Sequence, residues 1–289
     1  MVKDSSYTLA DVRVGEEDGI PFVETEGTED FDLRAVMECG QCFRFTPVAG
    51  TSHRCEYSGV AYGRFISVAE DEGTLRFYNT DIQEFGSLWI GYFGLDTDYA
   101  AIKRDILSRS DRPVLGEAVA AGGGIRILRQ DAWEALCSFI ISQNNNIPRI
   151  KGIIGRLCEQ FGGYPSAEEM AAATAEGCES LAGLRAGFRA KYLADAAQKV
   201  AGGEVDLAQV AKMDADSARA ELMKIKGVGP KVADCTMLFG MYKLEAFPKD
   251  VWVKRVMAEW YPNGLPECIK GAEGAAQQYL FHYIRSIER

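Results

Sequence analysis

Two periodicities divide the chain. Up to residue 80, apolar and polar positions alternate in short runs, at 7–14, 43–45, 56–62, 65–68 and 75–78. Alternation turns one face of an extended segment inward and the other to water, so these runs predict strands, and the Gly and Asp-Glu-Gly punctuation between them predicts antiparallel hairpins. Residues 81–92 and 98–107 predict helices, and Asp111-Arg112-Pro113 a break. Beyond it, apolar residues recur at helical spacing. Asp131 caps a helix through Leu136, Phe139 and Ile140; Ile147-Pro148 opens another, with Ile150, Ile153, Ile154, Leu157 and Phe161 along one face. Ser166-Ala-Glu-Glu169 spells a capping box, residues 189–200 form a further helix, and the last runs from 272 to 287. A sheet followed by helices predicts an α+β protein: an N-terminal antiparallel β-sheet domain over 1–112, then a mostly helical region over 113–289.

Within the helical region, residues 216–240 form a helix-hairpin-helix pattern. Ala218, Leu222 and Ile225 share a helical face, with Asp214 and Asp216 available as caps. Lys226-Gly-Val-Gly229 breaks that helix, and Pro230 suits the first position of the next, which continues through Val232, Cys235, Thr236, Leu238 and Phe239. Gly227 and Gly229 let a polyanion backbone approach the N–H groups at a helix start, a site for phosphate oxygens that reads no base sequence. Lys231 lies in the first turn, where the helix dipole disfavours an ammonium and so favours a nucleophilic amine. Asp250, before the periodic run Val-Trp-Val-Lys-Arg-Val, predicts an N-cap that holds its carboxylate in place. Taken singly, Lys231 reads as an exposed lysine and Asp250 as a plain cap; together at this spacing they read as a reactive pair.

Composition narrows the class. Of 289 residues, 47% are hydrophobic and 26% charged, which is ordinary for a globular protein with a substantial core. No run reaches the length of a membrane span and no leader pattern opens the chain, so an intracellular (cytoplasmic or nucleoid) protein is expected. The eight cysteines are scattered and read as reduced thiols. Net charge is −10, which argues against a general nucleic-acid coat, yet residues 222–255 carry seven basic side chains against three acidic. A confined basic face in an acidic protein predicts modest, salt-sensitive binding to phosphate.

The hairpin Lys-Gly-Val-Gly-Pro, Lys231 in Lys-Val-Ala-Asp-Cys and Asp250 in Pro-Lys-Asp-Val resemble the helix-hairpin-helix DNA glycosylase superfamily. Gly40-Gln-Cys-Phe-Arg44, Ser142-Gln-Asn-Asn-Asn146, Gly187-Phe-Arg-Ala-Lys-Tyr192 and Ala276-Gln-Gln-Tyr-Leu-Phe281 are similar to its 8-oxoguanine DNA glycosylase/lyase branch, spanning nearly the whole chain in the family's order. The resemblance implies a small antiparallel sheet packed on two helical clusters with a cleft between them. It implies a bifunctional enzyme acting as a monomer on double-stranded DNA that contains 8-oxoguanine, preferentially opposite cytosine. Asp250 would stabilise the charge that builds at C1′, and Lys231 would form the Schiff base from which β-elimination cuts the strand.

Further roles follow from the resemblance. The Gly40 carbonyl would accept the N7 proton that 8-oxoguanine has and guanine lacks, with Phe281 and Cys235 sandwiching the flipped base and Gln277 on its Watson–Crick edge. Without it, Phe281 and Cys235 read as core residues. Trp252 stands where many members carry histidine. Asn144, Arg149 and Arg189 would read the orphaned cytosine, and Phe188 replaces the tyrosine common at the wedge position. No cofactor is implied: only Cys235 and Cys268 follow the hairpin, too few for the iron–sulfur cluster of the endonuclease III branch. The carbonyls of Met223, Ile225 and Val228 would hold a monovalent cation, weakened by Lys226 where proline is common. Cys39, Cys42, His53 and Cys55 offer an alternative zinc set of irregular spacing. Two rival functions stand beside this reading: a glycosylase for other lesions, and a non-catalytic DNA clamp, which would need neither Lys231 nor Asp250.

Overall fold

In a computed structural model that describes residues 12–26, 30–109 and 113–287, the chain builds one compact unit, crosses into a second, and returns to the first. The first unit holds the chain through Arg129 and again from Lys249 onward; the second is Gln130–Pro248. The last strand ends at Tyr78, whereas the two units divide after Arg129 and after Pro248.

The first unit is built on a six-stranded antiparallel sheet, ordered β1-β2-β6-β5-β4-β3. Its strands are β1 (Val12–Glu17), β2 (Ile20–Glu26), β3 (Phe45–Pro47), β4 (Cys55–Ala61), β5 (Arg64–Asp71) and β6 (Thr74–Tyr78). Asp18-Gly19 and Tyr62-Gly63 turn their hairpins with positive φ at both residues, the backbone that matches strand twist. Alternation works as expected in β4, where every second residue from Cys55 to Ala61 is buried. The expected strand at 7–14 is found at Val12–Glu17, and residues 7–11 lie outside the described residues. β2 escaped the sequence pattern because Pro21 and three acidic or hydroxyl positions mask it; it forms because β1 and β6 flank it and Val23 is fully buried.

Helix α1 (Leu33–Glu38) also escaped, being a turn and a half capped by Asp32. It buries Leu33, Val36 and Met37 against the sheet core, and the Leu33 N–H reaches the Glu70 carboxylate at 2.8 Å. The segment expected as a helix over 81–92 contains α2 (Ile82–Glu84), a π-helical turn (Phe85–Trp89) and α3 (Ile90–Tyr92). The widened turn lets Phe85 and Trp89 both be fully buried. Then come α4 (Tyr99–Arg109) and α5 (Pro113–Gly122), where Pro113 opens a helix and its missing N–H costs nothing.

The second unit is helical: α6 (Ala132–Ser142), α7 (Ile147–Phe161), α8 (Ala167–Ala173), α9 (Ala190–Ala201), α10 (Leu207–Val210), α11 (Ala215–Leu222) and α12 (Pro230–Met241). Asp131, Asn146, Ser166 and Asp214 cap the helices they precede, and Ser166 with Glu169 closes the capping box. α6 packs on α12, where Gly240 lies so close to Ala132 and Ala135 that a Cβ would meet them at 2.9 Å. The chain then re-enters the first unit with α13 (Val251–Trp260) and α14 (Glu273–Ile287); α14 packs on α5 and α13. All eight cysteines are free, and among the described residues no helix is long and apolar enough to cross a membrane.

Candidate active site

The hairpin takes the form its sequence predicts. α11 ends at Leu222; Ile225 and Val228 turn inward, nearly fully buried, and the Val228 N–H returns to the Ile225 carbonyl at 3.0 Å. Gly227 has φ +81°, and a Cβ there would lie 2.4 Å from the Tyr192 ring, so the position demands glycine twice over. Gly229 differs: its backbone is extended, and a Cβ would meet nothing within 4 Å. It caps α12 with no side chain. The N–H groups of Gly227, Gly229, Lys231 and Val232 find no partner among the described residues. These are donors at a helix start, open to an anion.

Lys231 stands among them. Its Nζ donates to Ser142 Oγ at 3.2 Å and lies 5.1 Å from the centre of the Phe139 ring, which stacks on Phe239. Ser142 passes its own hydroxyl proton to the Phe139 carbonyl at 2.8 Å, so it can only accept from the lysine. No carboxylate pairs with Lys231 among the described residues, which leaves the amine nitrogen held but not neutralised. Cys235, one turn along α12, is buried.

The same unit carries the residues expected to meet the opposite base. Asn144 is exposed with φ +47°, and Asn146 caps α7 by accepting the Arg149 N–H at 3.0 Å. Arg149 is exposed. Arg189 corrects the expectation, being only 2% exposed. Its guanidinium donates to the carbonyls of Gln143 at 2.9 Å, Asn144 at 2.9 Å and Ala186 at 3.1 Å. Burial, with the Arg149 guanidinium nearby, pulls its pKa below the ordinary arginine value. Arg189 therefore holds the Asn144 loop, with most of its donors already spent on backbone. Phe188 is 45% exposed, as a wedge would be, and packs edge-on against Tyr192 with centroids 5.7 Å apart.

The residues expected to meet the lesion base that lie in the first unit make up a second set. Gly40 sits at φ +81° in the turn after α1, and a Cβ there would come 3.9 Å from Phe281. The turn is pinned by Gln41, fully buried: its Nε2 donates to the carbonyls of Val36 at 3.0 Å and Arg126 at 2.8 Å, and its Oε1 accepts the Leu128 N–H at 2.9 Å. Burial pushes the Cys39 thiol up to about 12, so it is an inert neighbour of Gly40. Gln277 is buried on α14, where Gln278 Nε2 donates to its Oε1 at 2.8 Å. Arg285, one turn beyond Phe281, lies 5.1 Å from its ring centre. Asp250 caps α13: Oδ1 accepts the Val253 N–H at 2.8 Å, which leaves Oδ2 for other work. Trp252 is half-buried beneath the Arg255 guanidinium, 4.9 Å from its ring centre.

The alternative zinc set does not assemble. His53 bonds to Asp71 and Tyr78 at 2.6 and 2.9 Å, Cys39 donates to Val36, Cys42 packs on Met37, and no three metal-ligating residues group among the described residues. The hairpin carbonyls expected to hold a cation, those of Met223, Ile225 and Val228, have other groups beside them. The Ile225 carbonyl already accepts from Val228, and the Lys199 ammonium sits 2.5 Å from the adjacent Lys224 carbonyl, where it would repel a second cation. Pattern reading passed over Asp195, Lys199 and Arg285, and gave Ser142, Tyr192 and Gln278 no role beyond their motifs; the spacing of 192, 195 and 199 along one helix was the available signal.

Comparison with known proteins places the chain in a family. The N-terminal domain of 8-oxoguanine DNA glycosylase matches residues 25–136, and the HhH-GPD superfamily of base excision DNA repair proteins matches 137–266. A solved structure of MBOgg1 with a low-affinity DNA ligand is 40% identical, covers 96% of this chain and 99% of its own, and superposes with a TM-score of 0.84. The 8-oxoguanine glycosylase/lyase of Clostridium acetobutylicum, solved with duplex DNA carrying cytosine opposite 8-oxoguanine, is 36% identical over 96% of this chain and 100% of its own, with a TM-score of 0.83. The N-glycosylase/DNA lyase of Saccharomyces cerevisiae is 35% identical over 59% of this chain, and the match spans 50% of that relative's length. The chain belongs to the 8-oxoguanine DNA glycosylase/lyase family of the helix-hairpin-helix superfamily.

Proposed function

We infer that this protein excises 8-oxoguanine from duplex DNA and cuts the abasic strand through a Schiff base on Lys231. The observation that carries the reading is Lys231 itself. It is an amine in the first turn of α12, unpaired with any carboxylate among the described residues, set among four backbone donors open to a phosphate. A clamp needs only the donors; the amine is the part that needs a reaction.

The hairpin donors would hold phosphate oxygens without reading sequence, and the flipped nucleoside would be read by its base. The Gly40 carbonyl would accept the N7 proton of 8-oxoguanine; with guanine it would face a lone pair instead and lose the bond. Phe281 and Cys235 offer the stacking surfaces, Gln277 the polar edge, and Trp252 an indole donor. As the glycosidic bond breaks, its electron pair leaves with the base and positive charge builds at C1′, where the Asp250 carboxylate would stabilise it. The Lys231 nitrogen attacks C1′, and loss of its protons with ring opening gives the imine. Removal of a C2′ proton then expels the 3′ phosphate by β-elimination. The Met223, Ile225 and Val228 carbonyls enter none of these steps.

Opposite the lesion, Arg149 is the free donor for the O2 and N3 acceptors of cytosine, with Asn144 beside it. Arg189 would act through the Asn144 loop that it supports. A duplex with one 8-oxoguanine opposite cytosine, incubated with the protein and borohydride, should give a covalent protein–DNA adduct that Lys231→Gln abolishes. Release of a different damaged base in preference to 8-oxoguanine would move the protein to the rival lesion class. Binding without any cleavage would reduce it to a clamp.

A further inference from the structure

One face of α9 is spent on the hairpin. Tyr192, Asp195 and Lys199 are three and four residues apart, so helical geometry sets them in a row. The Tyr192 ring fills the space beside Gly227 that a side chain would take. Asp195 Oδ2 accepts the Lys226 N–H at 2.6 Å. Lys199 Nζ donates to the Lys224 carbonyl at 2.5 Å while lying 3.3 Å from Asp195 Oδ2. Lys224, Lys226 and Gly227 are thus held by three side chains of a single helix. At the other end of that row, Phe188 packs against Tyr192.

Simple electrostatics makes Asp195 odd, since a carboxylate beside a surface meant for a polyanion repels it. It makes sense as a structural anchor. Lys199 neutralises it, and its bond to Lys226 removes one hairpin donor, leaving those of Gly227, Gly229, Lys231 and Val232. We propose that Tyr192, Asp195 and Lys199 are positioning residues for the phosphate-binding hairpin, setting its donors in place and touching no phosphate themselves. The proposal deepens the DNA-binding part of the reading above and rests on it.

The test is equilibrium binding of the full chain to a duplex carrying a tetrahydrofuran abasic analogue, measured over a range of salt. Asp195→Ala removes a negative charge, so direct Coulomb forces would tighten binding; loss of positioning weakens it, by about tenfold for the bonds given up. Asp195→Asn, the gentler change should the alanine variant unfold, also removes the charge and is expected to weaken binding to a smaller extent. Lys199→Met weakens binding with the slope of log Kd against log salt unchanged, whereas a lysine on phosphate would lower that slope by about one. Lys199→Arg restores most of the affinity. Tighter or unchanged binding in both Asp195 variants, or a reduced salt slope in Lys199→Met, overturns the proposal. Failure of the wild type to release 8-oxoguanine overturns the enzymatic reading and leaves these affinity measurements standing.

Discussion

At the scale of single residues, identical letters carry different duties. Gly227 and Gly229 are two residues apart in one motif, yet the first is fixed by φ +81° and by the Tyr192 ring while the second faces open space with an extended backbone. Gly227→Ala should therefore lower stability by about 2–4 kcal/mol, the sum of left-handed backbone strain and overpacking, seen as a fall in thermal midpoint. Gly229→Ala should melt with wild-type stability or slightly above and still lose DNA affinity, because its methyl group projects where a phosphate would approach. A stable Gly227→Ala, or an unimpaired Gly229→Ala, would contradict this division. The arginines divide likewise. Arg149→Met should leave the melting temperature unchanged and narrow the preference for cytosine over adenine opposite the lesion. Arg189→Met should destabilise by about 1–3 kcal/mol, since buried carbonyls lose their donors. Equal melting curves for the two variants would show that Arg189 is not a support.

At the scale of elements, helix ends do most of the placing. Asp250 caps α13 with one carboxylate oxygen, so its structural and chemical roles can be separated. Asp250→Ala removes both and should cost about 1 kcal/mol of stability with the loss of the cap. Asp250→Asn keeps an acceptor for the Val253 N–H and so most of the stability, yet presents no charge to C1′. Base release should fall by about two orders of magnitude or more, as removal of a preorganised electrostatic partner does elsewhere. Near-wild-type excision by the asparagine variant would reduce Asp250 to a cap. Helix starts were readable in advance because Asp131, Ser166, Asp214 and Asp250 cap by a local rule. α1 and β2 were not: α1 is six residues long and β2 opens on Ile20-Pro21, so each owes its existence to neighbours that bury it.

At the scale of the molecule, an acidic chain must bind a polyanion through a small part of its surface. With a net charge of −10, affinity rests on few phosphate contacts and works against long-range repulsion. Duplex affinity should consequently fall by at least tenfold between about 50 and 200 mM salt, the behaviour of a protein with several phosphate contacts. Excision from a preformed complex in a single turnover should change little over the same range. A salt-independent Kd would mean that the basic residues from Lys224 to Arg255 are not the binding face.

What the sequence determined by itself were the features set by nearest neighbours along the chain: the strands β4 to β6, with clean alternation in β4, the caps, the break at Lys226-Gly-Val-Gly229, and a lysine and an aspartate of the right chemical type at a family spacing. Each depends on bonds reaching only a few residues, so the order of letters is enough. Tertiary structure alone decided which face a long side chain uses. Arg189 could donate to a base or to backbone, and only the approach of the 143–144 loop, 45 residues away, turns it inward. Asp195 and Lys199 look like an ordinary surface pair until the hairpin is laid against them. Gln41, beside the more visible Gly40, becomes the anchor of its turn because backbone groups of Arg126 and Leu128, from a distant segment, join the nearby Val36 carbonyl on its amide. A buried donor or acceptor takes whatever partner the fold brings within 3 Å, and that partner is rarely a neighbour in sequence.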